Sequence, residues 1–214
     1  MLSIKQNDIL IKLICNLRNE YQFVFQIYKY IFKQIRGKKM IKDLKDYVTT
    51  IPDFPEPGIM FRDITSVVQD ADGLRLAIDT MEKLVDDVDY DVVVGAESRG
   101  FIFGTPIAYN ERKPFVLIRK PGKLPRETEK MDYDLEYGSA TLEIHKDAIK
   151  PGQKVLIVDD LMATGGTIEA MVKLIEKLGG TVAAVLVLME LEGLNGRDKL
   201  KGYRVESAIK YEGK

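Results

Sequence analysis

The sequence predicts an α/β domain built on a central, mainly parallel β-sheet flanked by helices. From Met40 onward, segments with helical spacing of apolar residues alternate with short apolar strands, as they do in α/β domains. Residues 155–158 form a short apolar run with β-branched side chains, which is typical of a strand covered on both faces in a parallel sheet. With 214 residues, of which 45% are apolar and 30% charged, the chain is long enough for one domain with a sizeable core.

The predicted elements follow one another along the chain. Helical spacing predicts helices at residues 74–88, 101–110 and 168–178, and short apolar or alternating runs predict strands at residues 91–96, 115–119, 139–144, 155–158, 181–189 and 203–209. Between residues 120 and 137 the pattern gives way to Pro121, Gly122, Pro125 and many charges. We predict a flexible lid loop there, because loops of that length are commonly functional. A solvated surface excursion is the alternative.

Two acids and a loop of small residues follow the predicted strand 155–158. Asp159 and Asp160 are expected at its carboxyl end, where ligands bind in open α/β sheets, and they can accept hydrogen bonds from two neighbouring hydroxyls. In the next loop, backbone N–H groups and two hydroxyls can converge on a phosphate at a helix N-terminus. That loop consists of Ala163, Thr164, Gly165, Gly166 and Thr167. The arrangement suits a phosphorylated sugar; an ordinary β-α-β segment with two strand-end aspartates is the alternative.

Other phosphate-binding loops fit the chain less well. A Walker loop needs Lys and then Ser or Thr after its second glycine, but Gly95 and Gly100 are followed by Phe101 and Ile102, and the chain has no G-x-G-x-x-G fingerprint. Residues 155–167 instead resemble the 5-phosphoribosyl 1-pyrophosphate (PRPP) signature of the type I phosphoribosyltransferases. The resemblance implies that the acid pair contacts the ribose hydroxyls of PRPP and that the loop holds its 5′-phosphate.

A second candidate anion site follows the predicted strand 91–96. A short strand-to-helix turn exposes backbone amides, and an arginine in it can form a fork with phosphate oxygens. The turn consists of Glu97, Ser98, Arg99 and Gly100. A plain turn followed by ordinary loop charges is the alternative. The family resemblance assigns this turn to pyrophosphate, and it implies further positive charge for the same group from Arg119, Lys120 and Lys123.

An extended segment near the start of the domain carries a candidate base-binding aromatic residue. Residues 51–64 contain three prolines and a glycine, which favour an extended, turn-rich path. Phe61 is either an interior anchor or a stacking platform for a planar base. The segment resembles the N-terminal hood of the adenine phosphoribosyltransferases, and the likeness continues through residues 136–138 and 194–197. The resemblance implies that adenine contacts Met60, Phe61 and Arg62, with Leu191 covering the opposite face.

The resemblance also implies an activity in purine salvage. An enzyme of this family transfers the 5-phosphoribosyl group from PRPP to N9 of adenine, giving AMP and pyrophosphate. The implied catalytic residues are Arg99, Asp159, Asp160 and Glu136, of which Glu136 stabilises the cationic ribose or handles the base proton. The implied cofactor is Mg²⁺, held mainly through PRPP and water with the two aspartates as candidate ligands. The implied assembly is a homodimer.

Two other functions stay open at this point. One is an enzyme of the same class that acts on hypoxanthine, guanine, xanthine or orotate, since backbone recognition around Phe61 leaves no side-chain signature that excludes these bases. The other is a PRPP-responsive regulator, since one fold can serve unrelated functions. A regulator needs a nucleic-acid-binding module, and residues 1–39 lack a clear helix-turn-helix pattern.

Charge and rare residue types limit the partners of the chain. A formal net charge of −1 gives no general attraction to nucleic acid or to an anionic membrane. Cys15 is the only cysteine and His145 the only histidine, which excludes intrachain disulfides and argues against clusters of such residues around a metal. We expect His145 at the surface and a cytoplasmic protein that binds neither nucleic acid nor membrane.

The first 39 residues differ from the remainder in being basic and rich in aromatic and aliphatic side chains. They contain neither the ~20 apolar residues of a membrane span nor the compact pattern of a secretory signal. A basic amphipathic helix on a membrane surface is one interpretation. We expect instead that residues 1–39 are a poorly ordered or upstream-translated extension and that residues 40–214 form a single phosphoribosyltransferase domain.

Overall fold

The computed structural model describes residues 42–134 and 139–213. The predicted extension, residues 1–39, and the candidate catalytic residue Glu136 lie outside the described residues. From Asp43 onward the described residues belong to one compact unit. None of their helices combines the length and apolar character that crossing a membrane requires.

The described residues contain nine strands, four α-helices and three short 3-10 helices. The strands are β1 Thr49–Pro52, β2 Met60–Asp63, β3 Val92–Ala96, β4 Phe115–Ile118, β5 Thr128–Asp134, β6 Ser139–His145, β7 Lys154–Met162, β8 Thr181–Leu191 and β9 Val205–Tyr211. The α-helices are α1 Thr65–Val68, α2 Ala71–Lys83, α3 Arg99–Asn110 and α4 Gly166–Lys177. The 3-10 helices are Leu44–Tyr47, Glu192–Leu194 and Gly196–Leu200.

The central sheet has five strands in the order β4-β3-β7-β8-β9, and every pair of neighbours is parallel. Side chains alternate between its two faces, so that Val155 and Ile157 lie in one core and Leu156 and Val158 in the other. The prediction of a parallel sheet with a doubly covered strand at residues 155–158 is confirmed.

Helices cover both faces of this sheet. On one face, Met171 and Ile175 of α4 share a core with Ile144 of the β5–β6 ribbon. On the other face, Met81 of α2 and Phe103 of α3 lie in a second core. Burying each such side chain stabilises the folded protein by about 1.5–3 kcal/mol. The two helical layers therefore hold the sheet in place, including the edge that carries the predicted site residues.

The segment predicted as a lid loop contains a strand. Residues 128–134 form β5, which pairs with β6 along its full length in antiparallel register. Met131 and Tyr133 of this strand pack against the core. Two alternating apolar residues among charged ones are too weak a pattern to predict a strand, because its stability depends on pairing with β6. Within the described part of that segment, only residues 120–127 lie outside a strand. His145, expected at the surface, ends β6 half-buried, with its Nδ1 3.0 Å from Arg126 Nη2.

Helix α2 begins and ends earlier than the predicted helix 74–88. Asp70 caps it, because its carboxylate accepts hydrogen bonds from the backbone N–H groups of the first turn at 2.9 Å. After Lys83 the chain continues in three-residue turns, with Val85 N–H donating to the Glu82 carbonyl and Val88 N–H to the Val85 carbonyl. Such turns nearly match the period of a helix, so the spacing of apolar residues does not show where the helix ends.

The proline-rich segment forms a hairpin. Strands β1 and β2 pair in antiparallel register, with Ile51 opposite Phe61. Between them Asp53 has φ 57°, and its carboxylate accepts a hydrogen bond from Gly58 N–H at 2.7 Å. We call residues 49–63 the hood hairpin.

Candidate active site

The two acids of the PRPP-like segment are neighbours on β7 and both are buried. Asp159 is 7% exposed and Asp160 4%. They lie within the strand, although the sequence predicts them at its carboxyl end. The reason is that β8 runs on to Leu191 and pairs with β7 as far as Met162, which lies opposite Glu190. The carboxylates therefore stand on hydrogen-bonded backbone rather than on a loop.

Burial and mutual repulsion determine the charge of this acid pair. Burial, together with the neighbouring Asp160 charge, raises the pKa of Asp159 well above its usual range. Burial also raises the pKa of Asp160, although the Arg99 guanidinium opposes that shift. Arg99 Nε lies 3.0 Å from Asp160 Oδ2 without hydrogen-bond geometry, so this buried oxygen has no hydrogen-bond donor among the described residues. The positive charge of Arg99 is the partner of this oxygen.

The small-residue loop ends in a left-handed glycine at which α4 begins. Gly165 has φ +77° and occupies the N-cap position, and no side chain caps this described helix. The first amide groups of α4 therefore face no competing side-chain acceptor at the cap, which is the condition for binding an anion there. A Cβ on Gly165 would overlap the carbonyl oxygen of Gly196, so the loop also lies directly against the start of the Gly196–Leu200 helix.

The predicted pyrophosphate turn lies at the start of α3, beside the acid pair. The helix begins at Arg99, two residues earlier than predicted. Gly100 packs so closely on β7 that a Cβ would lie 2.9 Å from Asp159 Oδ1 and 2.9 Å from the Val158 carbonyl oxygen. Only glycine allows this approach, which brings the two candidate anion sites together.

Two residues that the resemblance assigns to pyrophosphate contact each other. Arg119 Nε donates a hydrogen bond to Glu97 Oε2 at 2.6 Å, and its Nη1 donates to the Lys123 carbonyl oxygen at 3.1 Å. The Arg119 guanidinium thus holds the loop after β4, while Lys120 and Lys123 are exposed. Arg119 therefore joins Glu97 to the backbone of the basic loop.

One cleft of about 260 Å³ gathers most of the predicted residues. Those that line it are Glu97, Arg99, Lys120, Asp159, Asp160, Ala163, Thr164, Gly165, Gly166 and Thr167. Ser98, Gly100, Arg119 and Lys123 are not among the lining residues. Tyr133 and Leu142 also line the cleft, although no sequence pattern predicts either of them there. Tyr133 lies on a strand that the sequence does not predict, and an alternating leucine carries no chemical signal.

A buried glutamate, also missed from the sequence, fastens the loop between β4 and β5. Glu143 is 2% exposed, its Oε2 accepts a hydrogen bond from Gly122 N–H at 3.2 Å, and its Oε1 lies 2.6 Å from Lys130 Nζ. Contact with the Lys130 ammonium group lowers the pKa of Glu143 although burial opposes it. Its backbone also pairs with that of Arg119 in both directions, at 2.9 and 2.7 Å. These partners are distant in sequence, so no local pattern reveals them.

The predicted base-binding residues lie on two other elements, and none of them is among the residues that line this cleft. Met60, Phe61 and Arg62 belong to β2, and Leu191 ends β8. Tyr211 connects the two elements, because it is the β9 partner of Leu191 and the Arg62 guanidinium lies 4.2 Å from the centre of its ring. The structure therefore places the hood hairpin next to the end of β8.

A magnesium ion fits this site as an ion shared with a ligand. Among residues 42–134 and 139–213, no three acidic, histidine or cysteine side chains cluster into a metal cage. Magnesium is commonly held by one or two carboxylates together with substrate phosphates. Asp159 and Asp160 supply such carboxylates beside the two candidate anion sites, so the donor set fits that mode of binding.

The fold and the cleft define the class of the protein. A parallel sheet carries at one edge an acid pair, an anion loop at a helix N-terminus and a second anion turn, which is the arrangement expected of a type I phosphoribosyltransferase. In agreement, the family model described as the phosphoribosyl transferase domain matches residues 65–214.

Individual relatives narrow the class. The adenine phosphoribosyltransferase of Lachnoclostridium phytofermentans is 64% identical over 174 residues, which cover 81% of this chain and 100% of the relative. That of Butyrivibrio fibrisolvens is 67% identical over 174 residues, 81% of this chain and 96% of its own. The crystal structure of the Thermoanaerobacter pseudethanolicus enzyme is 49% identical with a TM-score of 0.77, covering 80% of this chain and 100% of its own.

A further crystal structure, of the Saccharomyces cerevisiae adenine phosphoribosyltransferase, holds an imino-altritol bisphosphate and adenine. It is 39% identical to this chain with a TM-score of 0.73, and the match covers 78% of this chain and 97% of that one. The chain belongs to the adenine phosphoribosyltransferase family, and the resemblance found in the sequence is confirmed.

Proposed function

We propose that this chain transfers the 5-phosphoribosyl group of PRPP to N9 of adenine, giving AMP and pyrophosphate for purine salvage. The observation that carries the proposal is the meeting of a buried acid pair, an uncapped helix N-terminus and Arg99 at one cleft. These features correspond to the ribose hydroxyls, the 5′-phosphate and the pyrophosphate of PRPP. The names of the relatives and the adenine bound to the yeast enzyme support adenine as the base.

The acid pair and the small-residue loop hold the ribose 5-phosphate part of PRPP in this proposal. Asp159 and Asp160 accept hydrogen bonds from the two ribose hydroxyls. Backbone amides of residues 163–167, with the Thr164 and Thr167 hydroxyls, bind the 5′-phosphate at the positive end of the α4 dipole. Hydrogen bonds in a buried site are strong and directional, so they hold C1 of the ribose in place for attack.

The pyrophosphate leaves towards α3 and the basic loop. Displacement by adenine N9 passes through an oxocarbenium-like state, so separating charge must be stabilised and water kept out. Arg99, Lys120 and Lys123 supply positive charge to the leaving group, and the amides of the turn at residues 97–100 add donors. Mg²⁺ held through PRPP, with Asp159 and Asp160 as candidate ligands, would offset further negative charge on the pyrophosphate. The lid, which the sequence predicts between residues 120 and 137, closes over the cleft and excludes water.

Adenine binds beneath the hood hairpin. Phe61 stacks on the base, Met60 and Arg62 contact it, and Leu191 covers its other face. The contact of Arg62 with Tyr211, the strand partner of Leu191, supports this assignment because it holds the hairpin at the end of β8. Glu136, outside the described residues, is assigned to stabilising the cationic ribose or to handling the base proton.

The proposal extends to a cytoplasmic homodimer. The single cysteine of the chain suits a reducing compartment. The dimer follows from the family resemblance, in which basic residues near residue 119 reach the site of the neighbouring subunit.

The proposal predicts that the purified protein forms a nucleotide from PRPP, Mg²⁺ and adenine, but not from hypoxanthine, guanine, xanthine or orotate offered separately. The measurement is product formation for each base, with a magnesium-free reaction as the control, which should be slow because the pyrophosphate charge is then less well neutralised. Turnover of another base would overturn the assignment of the hood hairpin. Absence of turnover with every base would favour the PRPP-responsive regulator.

A second prediction concerns the extension. A chain that starts at Met40 should keep full transferase activity, because the acid pair, the anion loops and the hood hairpin all lie after that residue. The measurement compares kcat and KM of the shortened and full-length proteins with PRPP and adenine. A large loss of activity would show that residues 1–39 contribute to the site.

A further inference from the structure

We propose that Glu190 and Arg197 form a positioning pair that holds the 5′-phosphate loop in shape through the backbone contact between Gly196 and Gly165. The inference rests on the proposed function, because it concerns the loop assigned there to PRPP. Neither Glu190 nor Arg197 lines the cleft. Their influence on the ligand therefore passes through the backbone and not through a contact of their own.

Gly165 and Gly196 contact each other through their backbones. A Cβ on Gly165 would overlap the Gly196 carbonyl oxygen, and a Cβ on Gly196 would overlap the Ala163 carbonyl oxygen and lie 3.1 Å from Gly165 N. The two backbones touch with no side chain between them. Because packed groups at this distance cannot move independently, a shift of Gly196 must move the loop from residue 163 to residue 165.

An ion pair between Arg197 and Glu190 holds the segment that contains Gly196. Arg197 Nε lies 2.6 Å from Glu190 Oε1, and Arg197 Nη2 donates to Glu190 Oε2 at 2.7 Å. Arg197 Nη1 also donates to the Val205 carbonyl oxygen at 3.0 Å, and Ser207 Oγ donates to Glu190 Oε2 at 2.8 Å. A two-pronged arginine–carboxylate pair fixes orientation as well as distance, so the residue next to Gly196 is held firmly to β8 and β9.

The carboxylate of Glu190 is buried and lies beside the point at which the loop begins. Glu190 is 3% exposed, and burial would raise its pKa, but the hydrogen bonds from Arg197 and Ser207 more than offset that effect and lower it. Glu190 is also the β8 partner of Met162, the last residue of β7 before the loop. The pair therefore joins the point at which the loop leaves the sheet to the segment against which the loop ends.

Arg204 provides a matched control on the same protein. It forms the same kind of contact with Asp87, through Nη1 at 2.8 Å and Nη2 at 2.9 Å, and donates to the Leu84 carbonyl oxygen at 3.1 Å. None of these residues lines the cleft. Arg204→Gln thus removes a similar number of hydrogen bonds, here from an exposed carboxylate and from Glu206, without touching the segment that contains Gly196.

The experiment measures binding of two simple ligands by calorimetry, using the full chain with Mg²⁺. Ribose 5-phosphate tests the 5′-phosphate loop, and pyrophosphate tests the turn at α3. Arg197→Gln should weaken ribose 5-phosphate binding about tenfold to a hundredfold, since a small misplacement of a binding group has effects of that size. It should leave pyrophosphate binding within about twofold, and Arg197→Lys should recover part of the loss because it keeps a charge near Glu190. Arg204→Gln should change neither ligand.

Further variants separate positioning from loss of folding. The double variant Glu190→Gln, Arg197→Gln leaves no uncompensated buried charge, and Gly196→Ala disturbs the loop while keeping the ion pair; both should show the same selective loss. Unchanged ribose 5-phosphate binding in a folded Arg197 variant, or equal weakening of both ligands, would overturn the proposal. If wild-type protein binds pyrophosphate but not ribose 5-phosphate, the assignment of the loop itself fails, and the inference fails with it.

Discussion

We expect Asp159→Asn to lower kcat/KM for PRPP while making the protein more stable at neutral pH. The carboxylate accepts a ribose hydroxyl in the proposed reaction, and a hydrogen bond to a charged group contributes about 1.5–3 kcal/mol, so activity should fall by about 10- to 150-fold. The amide oxygen of asparagine can still accept the hydrogen bond that Asp160 N–H gives to Asp159 Oδ1 at 3.0 Å. The variant therefore removes the charge with little change in packing.

The gain in stability should depend on pH in a defined direction. Burial and the Asp160 charge raise the pKa of Asp159 in the folded protein, so the folded state binds this proton more tightly than the unfolded chain does. Stability must then fall as the pH rises above the ordinary aspartate range near about 4. The melting temperatures of variant and wild type should converge as the pH is lowered towards about 4 and separate as it rises to about 8.

An exposed aspartate on α2, Asp79, provides the control for both effects. Asp79→Asn should alter neither kcat/KM nor the pH dependence of the melting temperature, because the side chain is exposed and does not line the cleft. Near-normal turnover of Asp159→Asn would remove Asp159 from the ribose site. A melting temperature below that of wild type at pH 8 would show that burial does not penalise the ionised acid.

The parts of the site that the sequence predicts are those encoded within a few consecutive residues. Residues 155–158 are apolar because both faces of β7 are covered, and the small residues from 163 to 167 are required where Gly165 turns left-handed against Gly196. Signals of this kind are local, so spacing and residue size reveal them. The strand β5 is missed because its formation depends on β6 more than on its own two apolar residues, Met131 and Tyr133.

Long-range partners account for the rest of what the sequence does not show. Glu143 reads as an ordinary strand residue, and only the fold brings it to Lys130 and the N–H of Gly122. The sequence suggests that Arg119 is a phosphate-binding cation. Only the fold shows that its guanidinium donates a hydrogen bond to Glu97. Residue types in the sequence thus identify the charged groups of the site. Which of these groups pair depends on how strands that are distant in sequence lie beside one another.

We expect a second large effect from Gly100→Ala, because Gly100 packs directly on β7, which is distant from it in sequence. The variant should lose both stability and activity. A Cβ at this position would lie 2.9 Å from both Asp159 Oδ1 and the Val158 carbonyl oxygen. Backbone and buried carboxylate cannot give way there as a flexible side chain could, so α3 must move off β7. Overpacking of this kind costs about 1–3 kcal/mol of stability. A displacement near 1 Å at a reacting site lowers activity about a hundredfold.

Because Gly100 joins the pyrophosphate turn to the acid pair, its replacement should weaken ribose 5-phosphate and pyrophosphate together. That distinguishes it from the Arg197 variants, for which only ribose 5-phosphate binding should change. Gly213→Ala is the control, since no atom lies within 4 Å of a Cβ there and its φ is not left-handed. Calorimetry with both ligands, beside melting temperatures, makes the comparison. If Gly100→Ala kept normal affinity for either ligand, the contact with β7 would not couple the two anion sites, and each would be held in place independently of the other.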